Sequence, residues 1–212
     1  MTKSHEIMFD LEHLKAIFSE EACKRYEFHG KYGPVIGITG IGGGWHKKVR
    51  DYIIANNIGG VLTYFGLLTK GVDAYLPLLH KEIIRYPNAL ILGFSAGGII
   101  ALRYAQKYGW NGFRKIFTIA TPFAGIPKNL SPLGKTCREL SMEDAFLKEI
   151  VKINPPPNKV FSFLSADDRY SKRPTEILSG LGWPGAVLDG KGHGSLQSSW
   201  EVIGPIIKCV FP

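Results

Sequence analysis

The sequence predicts an α/β architecture in three layers, a mostly parallel sheet of about six strands flanked by helices. Three observations predict it. Short runs rich in Val, Ile, Leu and Phe recur along the chain, most of them separated by stretches long enough for a helix. The runs are apolar on both faces, as strands covered from both sides are. The residues that could carry chemistry fall just after the runs, at the carboxyl edge where ligands gather in such sheets.

Each element has its own justification. Residues 1–30 form an N-terminal segment expected to be helical as far as residue 28, because Ile7, Leu11, Leu14, Ile17 and Phe18 recur at helical spacing. "PVIGIT" reads as the first strand and is followed by a glycine loop and a helix from about Trp45. "GGVLTYF" is the second strand and "VDAYLPLLHKEIIRY" the second helix. "NALILGFS" is the third strand and runs into the small-residue helix "AGGIIALRYAQKYG". "FRKIFTIA", "NKVFSFLS" and "GAVLDG" complete the strands, and a last helix is expected from about Gln197 to Cys209. Residues 125–157 form an insertion long enough for a lid or acyl pocket, in which Leu140, Phe146, Leu147, Ile150 and Val151 could share one apolar helix face. Such a stripe more often packs on the core, and "INPPPN" would end the helix. The whole reads as a single domain over residues 1–212.

Composition narrows the function. Apolar residues make up 45% of the chain and charged residues 21%, a globular balance. The start has no basic stretch followed by an apolar one, and no run is long enough to span a bilayer, so a cytoplasmic protein is expected. Cys23, Cys137 and Cys209 are scattered and form no metal-ligand spacing, so no metal is expected and idle thiols are the plain reading. The net charge of +8 favours anionic surroundings. Lys47, Lys48 and Arg50 on one side, and Lys172 and Arg173 on the other, should reach one edge and leave an anionic membrane surface open as a partner. No nucleic acid is expected, because aromatics are not interleaved with the basic residues. Nothing in the residues fixes an oligomeric state.

One stretch carries chemistry. Gly93-Phe94-Ser95-Ala96-Gly97 matches G-x-S-x-G at the junction of a strand and a helix, a sharp turn that lifts a serine clear of the backbone. Later strand ends supply Asp167 and Asp168, then His193 in the glycine-flanked loop "DGKGHGS", giving the chain order Ser, Asp, His. Ser95 is the expected nucleophile, His193 its base, and Asp168 the acid that orients the imidazole, with Asp167 the alternative. The other histidines lack this placement; His46 comes too early for the order. A dinucleotide site fails because Trp45 stands where a G-x-G-x-x-G starting at Gly40 needs glycine, and no Tyr-x-x-x-Lys or phosphate loop occurs. No cofactor is called for.

Over roughly residues 33–205 the chain resembles small α/β hydrolases of the lipase and esterase group, minimal bacterial lipases among them. "PVIGITGIGGGW" resembles the stretch in which a strand ends in His-Gly and a glycine loop supplies half of the oxyanion hole. "TPFAG" and "LSMEDAFLKEI" resemble the segments that follow the strand after the serine and lead to the acid strand. The Asp-Arg-Tyr run at Asp168 and the Ser-Ala-Asp at Asp167 each resemble a family pattern. The resemblance implies oxyanion donors at the backbone amides of Ile41 and Ala96, and hydrolysis of a small-molecule or lipid ester through an acyl-enzyme. One departure is Thr39, which stands where the family has His before the glycine. A thioesterase or acyltransferase on the same fold, or a non-catalytic binding module, are the alternatives.

Overall fold

The computed structural model describes residues 25–40, 44–64, 70–127, 130, 134–141, 144–168, 170 and 173–211. Among them the strands are β1 (Tyr26–Phe28), β2 (Tyr32–Thr39), β3 (Ile58–Tyr64), β4 (Ala89–Phe94), β5 (Phe113–Ile119), β6 (Val160–Ser165) and β7 (Gly185–Leu188). They form one sheet in the order β1-β3-β2-β4-β5-β6-β7. Every neighbouring pair is parallel except β1 with β3, which is antiparallel. The helices are α1 (Lys47–Ala55), α2 (Leu76–Arg85), α3 (Ala96–Tyr108), α4 (Lys135–Glu139), α5 (Ala145–Ile150), α6 (Pro174–Leu181), α7 (His193–Leu196) and α8 (Trp200–Val210).

The central strands need cover on both faces, and two apolar cores supply it. In β4 all of Ala89–Phe94 is buried. Alternate residues divide between the layers. Ile91 packs with α2 and α3 residues such as Leu79 and Ile100, while Leu90 and Leu92 pack with Val49 of α1 and Val202 and Ile206 of α8. Burying each such aliphatic side chain contributes about 1.5–3 kcal/mol. Helix ends follow local chemistry. His46 caps α1 by accepting the Lys48 N–H, and Gly109, at φ 85°, ends α3.

The fold class is the one expected, with four local differences. First, Tyr26–Phe28 is a strand and not the end of a helix. It is tied to α2 and its cap: the guanidinium of Arg25, just before the strand, grips both Glu82 oxygens at 2.9 and 3.0 Å, and Glu27 accepts from Tyr86, the residue after α2, at 2.6 Å. This edge strand raises the count above the expected six. The rest of the predicted N-terminal helix, residues 1–24, lies outside the described residues, as does Cys23.

Second, the last helix starts later than expected. His193–Leu196 is a separate turn, and the long helix starts at Trp200. Gln197, buried between them, accepts the His46 N–H at 3.2 Å and is held by that first loop. Third, the helix expected from about Trp45 starts at Lys47, where His46 caps it.

Fourth, the described residues of the insertion hold two short helices, α4 and α5, in place of one face. Leu140, Leu147 and Ile150 are buried in the core, with Phe146 and Val151 packed against them. Arg103 of α3 and Glu149 of α5 pair at 3.4 Å, and Gln106 donates to Glu149 at 2.9 Å. Cys137 is buried and Cys209 partly so, both as free thiols.

Candidate active site

The close packing around Ser95 explains its glycines. Ser95 itself sits at φ 54°, ψ −128°, a sparsely populated conformation for a residue with a side chain. The strand and helix that leave it run so close that a Cβ on Gly93 would lie 2.5 Å from Gly98 Cα. A Cβ on Gly97 would lie 2.2 Å from the Ile38 carbonyl oxygen of the neighbouring strand. Only hydrogen atoms fit there. The Ser95 N–H donates to Ile119 O at 2.8 Å and its carbonyl accepts from Thr121 Oγ1 at 3.2 Å, so β5 fixes the turn from below.

Three sequence-predicted residues come together at the carboxyl edge. His193 Nε2 lies 3.0 Å from Ser95 Oγ, and His193 Nδ1 lies 2.8 Å from Asp168 Oδ2. A carboxylate only accepts, so Nδ1 carries the proton toward Asp168 and Nε2 faces the serine hydroxyl with its lone pair. The Asp168 side chain is fully buried and the His193 side chain 14% exposed. Asp168 Oδ1 also accepts the Tyr170 N–H at 2.9 Å, which gives the buried carboxylate two donors.

Asp167 is exposed and stands elsewhere: its Oδ2 accepts the Gly190 N–H of the histidine loop. Its chain neighbour thus takes the imidazole. His46 lies outside the trio as the α1 cap. Sequence reasoning missed two rings that flank His193. Tyr170 meets it edge to face with centroids 4.9 Å apart, and Phe94 lies tilted at 5.2 Å. The only sequence signal for them was their place beside Asp168 and Ser95.

Ala96 opens α3, at the positive end of the helix dipole. Gly40 packs onto it so tightly that a Cβ would lie 2.2 Å from Ala96 Cβ. Ile41 lies outside the described residues. Thr39 is wholly buried, and its Oγ1 has no hydrogen-bond partner among the described residues. Among the described residues no group of three or more His, Cys, Asp or Glu could hold a metal ion, and no helix is long and apolar enough to cross a membrane.

No family model and no curated protein matches the sequence. Solved structures do. An α/β hydrolase enzyme from a sediment metagenome of the Mar Chica lagoon, Morocco, superposes with TM-score 0.62 at 18% identity, covering 88% of this chain and 93% of that one. The monoacylglycerol lipase of Paleococcus ferrophilus gives 0.63 at 13%, covering 88% and 97%. A thioesterase domain from the curacin biosynthetic pathway gives 0.60 at 12%, covering 87% and 94%. At such identities the likeness is one of architecture, and the architecture of this chain is the α/β-hydrolase fold.

Proposed function

We propose that the chain is a serine hydrolase that cleaves carboxylic esters, of small molecules or lipids, through an acyl-enzyme. The observation that carries this reading is the unbroken line from Ser95 Oγ to His193 Nε2 and from Nδ1 to Asp168 Oδ2, at 3.0 and 2.8 Å, on a strained strand-to-helix elbow. A glycine-lined elbow and a buried carboxylate are hard to explain as packing alone, because both oppose stability.

The steps follow from these atoms. Ser95 Oγ attacks the ester carbonyl carbon while its proton passes to His193 Nε2. The carbonyl π electrons move to oxygen, and that oxyanion meets the Ala96 amide and, by the resemblance, the amide of Ile41. Each such donor is worth about 10²–10³ in rate. Asp168 stabilises the imidazolium without taking its proton. The tetrahedral species collapses, the carbon–oxygen bond to the leaving group breaks, and Nε2–H protonates the departing alkoxide. Water repeats the sequence on the acyl-Ser95 ester and releases the acid. None of these steps calls on a metal or organic cofactor.

The positive balance of the chain, +8, supports a lipid ester at an anionic surface as one setting for the reaction. The thioesterase domain among the structural neighbours favours one second reading, a thioester cleaved by the same acyl-enzyme. The test is rapid mixing with p-nitrophenyl esters of graded acyl length, with acyl thioesters in parallel. A burst of one p-nitrophenol per chain followed by a slower steady rate is expected. Turnover of thioesters alone would move the chain to the second reading, and no turnover of either would overturn both.

A further inference from the structure

The backbone of His193 does little to hold its ring. Gly192 and Gly194 flank it, and α7 is a single turn. Other groups restrain it, and all but Phe94 of β4 come from one short segment, residues 165–170. At the backbone, Ser165 Oγ donates to Lys191 O, the Ala166 N–H donates to Leu188 O at 3.1 Å, and Asp167 Oδ2 accepts the Gly190 N–H. The stretch that leads into His193 is therefore tied to the end of β6. At the ring, Tyr170 stands across one side at an interplanar angle of 76°, and Phe94 tilts against it at 43°. Tyr170 is itself anchored through its N–H on Asp168 Oδ1, the carboxylate that holds Nδ1.

We propose that Asp167 and Tyr170 are positioning residues for His193: Asp167 sets the loop backbone and Tyr170 sets the plane of the imidazole. The proposal rests on the ester-hydrolase reading for its kinetic side. The two residues that bracket the acid in sequence thereby divide a task that glycines leave undone. The physical need is clear. Nε2 must deliver a proton to two different oxygens in turn without the ring swinging away, and a misplacement of about 1 Å costs roughly a hundredfold. Neither residue needs to touch the reacting atoms. An exposed hydrogen bond holds the backbone loosely, so Asp167 should matter less than the ring contact.

The test compares wild type with Asp167→Ala, Asp167→Asn, Tyr170→Leu and Tyr170→Phe. Two readouts are taken: kcat and KM on a p-nitrophenyl ester, and the downfield proton NMR signal of the His193 Nδ1–H. Tyr170→Leu should lower kcat by about tenfold to a hundredfold with KM within about twofold, and broaden the Nδ1–H signal. Tyr170→Phe keeps the ring and should restore both readouts. Asp167→Ala should lower kcat by about three- to tenfold, and Asp167→Asn, which keeps the accepting oxygen, should restore it. Wild-type kcat and a sharp signal in both Tyr170→Leu and Asp167→Ala would overturn the proposal. So would an Asp167→Asn as impaired as Asp167→Ala, because that would mean the carboxylate acts by its charge. Asp167 is exposed, so its variants can be read even if Tyr170→Leu fails to fold. A wild type without ester turnover would refute the hydrolase reading, and the NMR comparison would still decide the positioning.

Discussion

Gly98→Ala is the substitution on which local propensity and packing disagree most sharply. Gly98 lies in the first turn of α3, and in an open helix replacing Gly by Ala stabilises by about 1 kcal/mol. Here the new Cβ would lie 2.0 Å from Thr121 Oγ1 and 3.0 Å from both Thr121 Cβ and Cγ2. Thr121 is completely buried, and its hydroxyl donates to the Ser95 carbonyl at 3.2 Å, so it cannot turn away freely. Overpacking costs about 1–3 kcal/mol and a broken hydrogen bond about 0.5–1.5 kcal/mol, which outweigh the propensity gain. The net expectation is a loss of about 2 kcal/mol, or about 4–8 °C in Tm for a chain of this size. Calorimetry or circular dichroism melting reads it directly. Gly180→Ala is the control: that glycine is also helical and nothing lies within 4 Å of its added Cβ, so Tm should rise by a few degrees. Adding Thr121→Ala to Gly98→Ala removes Oγ1 and Cγ2 and should recover part of the loss. A Gly98→Ala chain as stable as Gly180→Ala would refute the close approach at the elbow.

Three other outcomes follow from the same structure. Asp168→Asn should lower kcat by about 10³–10⁴ because the imidazole is then held in the wrong tautomer; a loss below about tenfold in ester turnover would contradict the role given to Asp168. Ile150→Ala, at a position fully buried in the core, should cost about 2–5 kcal/mol and lower Tm by about 4–20 °C, whereas a free lid helix would melt unchanged. Burial pushes the Cys137 thiol up from its ordinary 9.0 to about 11, so the unfolded chain loses this proton first and stability should fall as pH rises between those values. Denaturant unfolding at pH 8, 9.5 and 10.5 checks the sign, and Cys137→Ala should flatten that part of the profile.

The elbow was legible in the sequence because several local signals agree there: an apolar run, closely spaced glycines and a small-residue helix each demand the same turn. The parallel sheet was legible for a similar reason, since runs such as "ALILGF" have no polar face to expose. The acid was not. Asp167 and Asp168 are adjacent, and which one faces the imidazole depends on how the chain leaves β6, where the Ser165 hydroxyl accepts the Asp167 N–H and holds that residue outward. β1 is not legible because "YEF" is too short for a pattern, and its side-chain partners Arg85 and Tyr86 lie far along the chain. The later start at Trp200 was not legible because Gln197 is taken up by the distant first loop. Tyr170 and Phe94 were not picked out because ring contacts to His193 exist only after folding.

The central claim is that Ser95 is an activated nucleophile. The most direct measurement is the intact mass of the protein after exposure to a fluorophosphonate, with Ser95→Ala and His193→Ala alongside. One adduct per chain on wild type and none on Ser95→Ala is the expected result, with labelling of His193→Ala slowed by at least about a hundredfold. A folded wild type that gains no mass, or a Ser95→Ala chain that gains as much, would contradict the account.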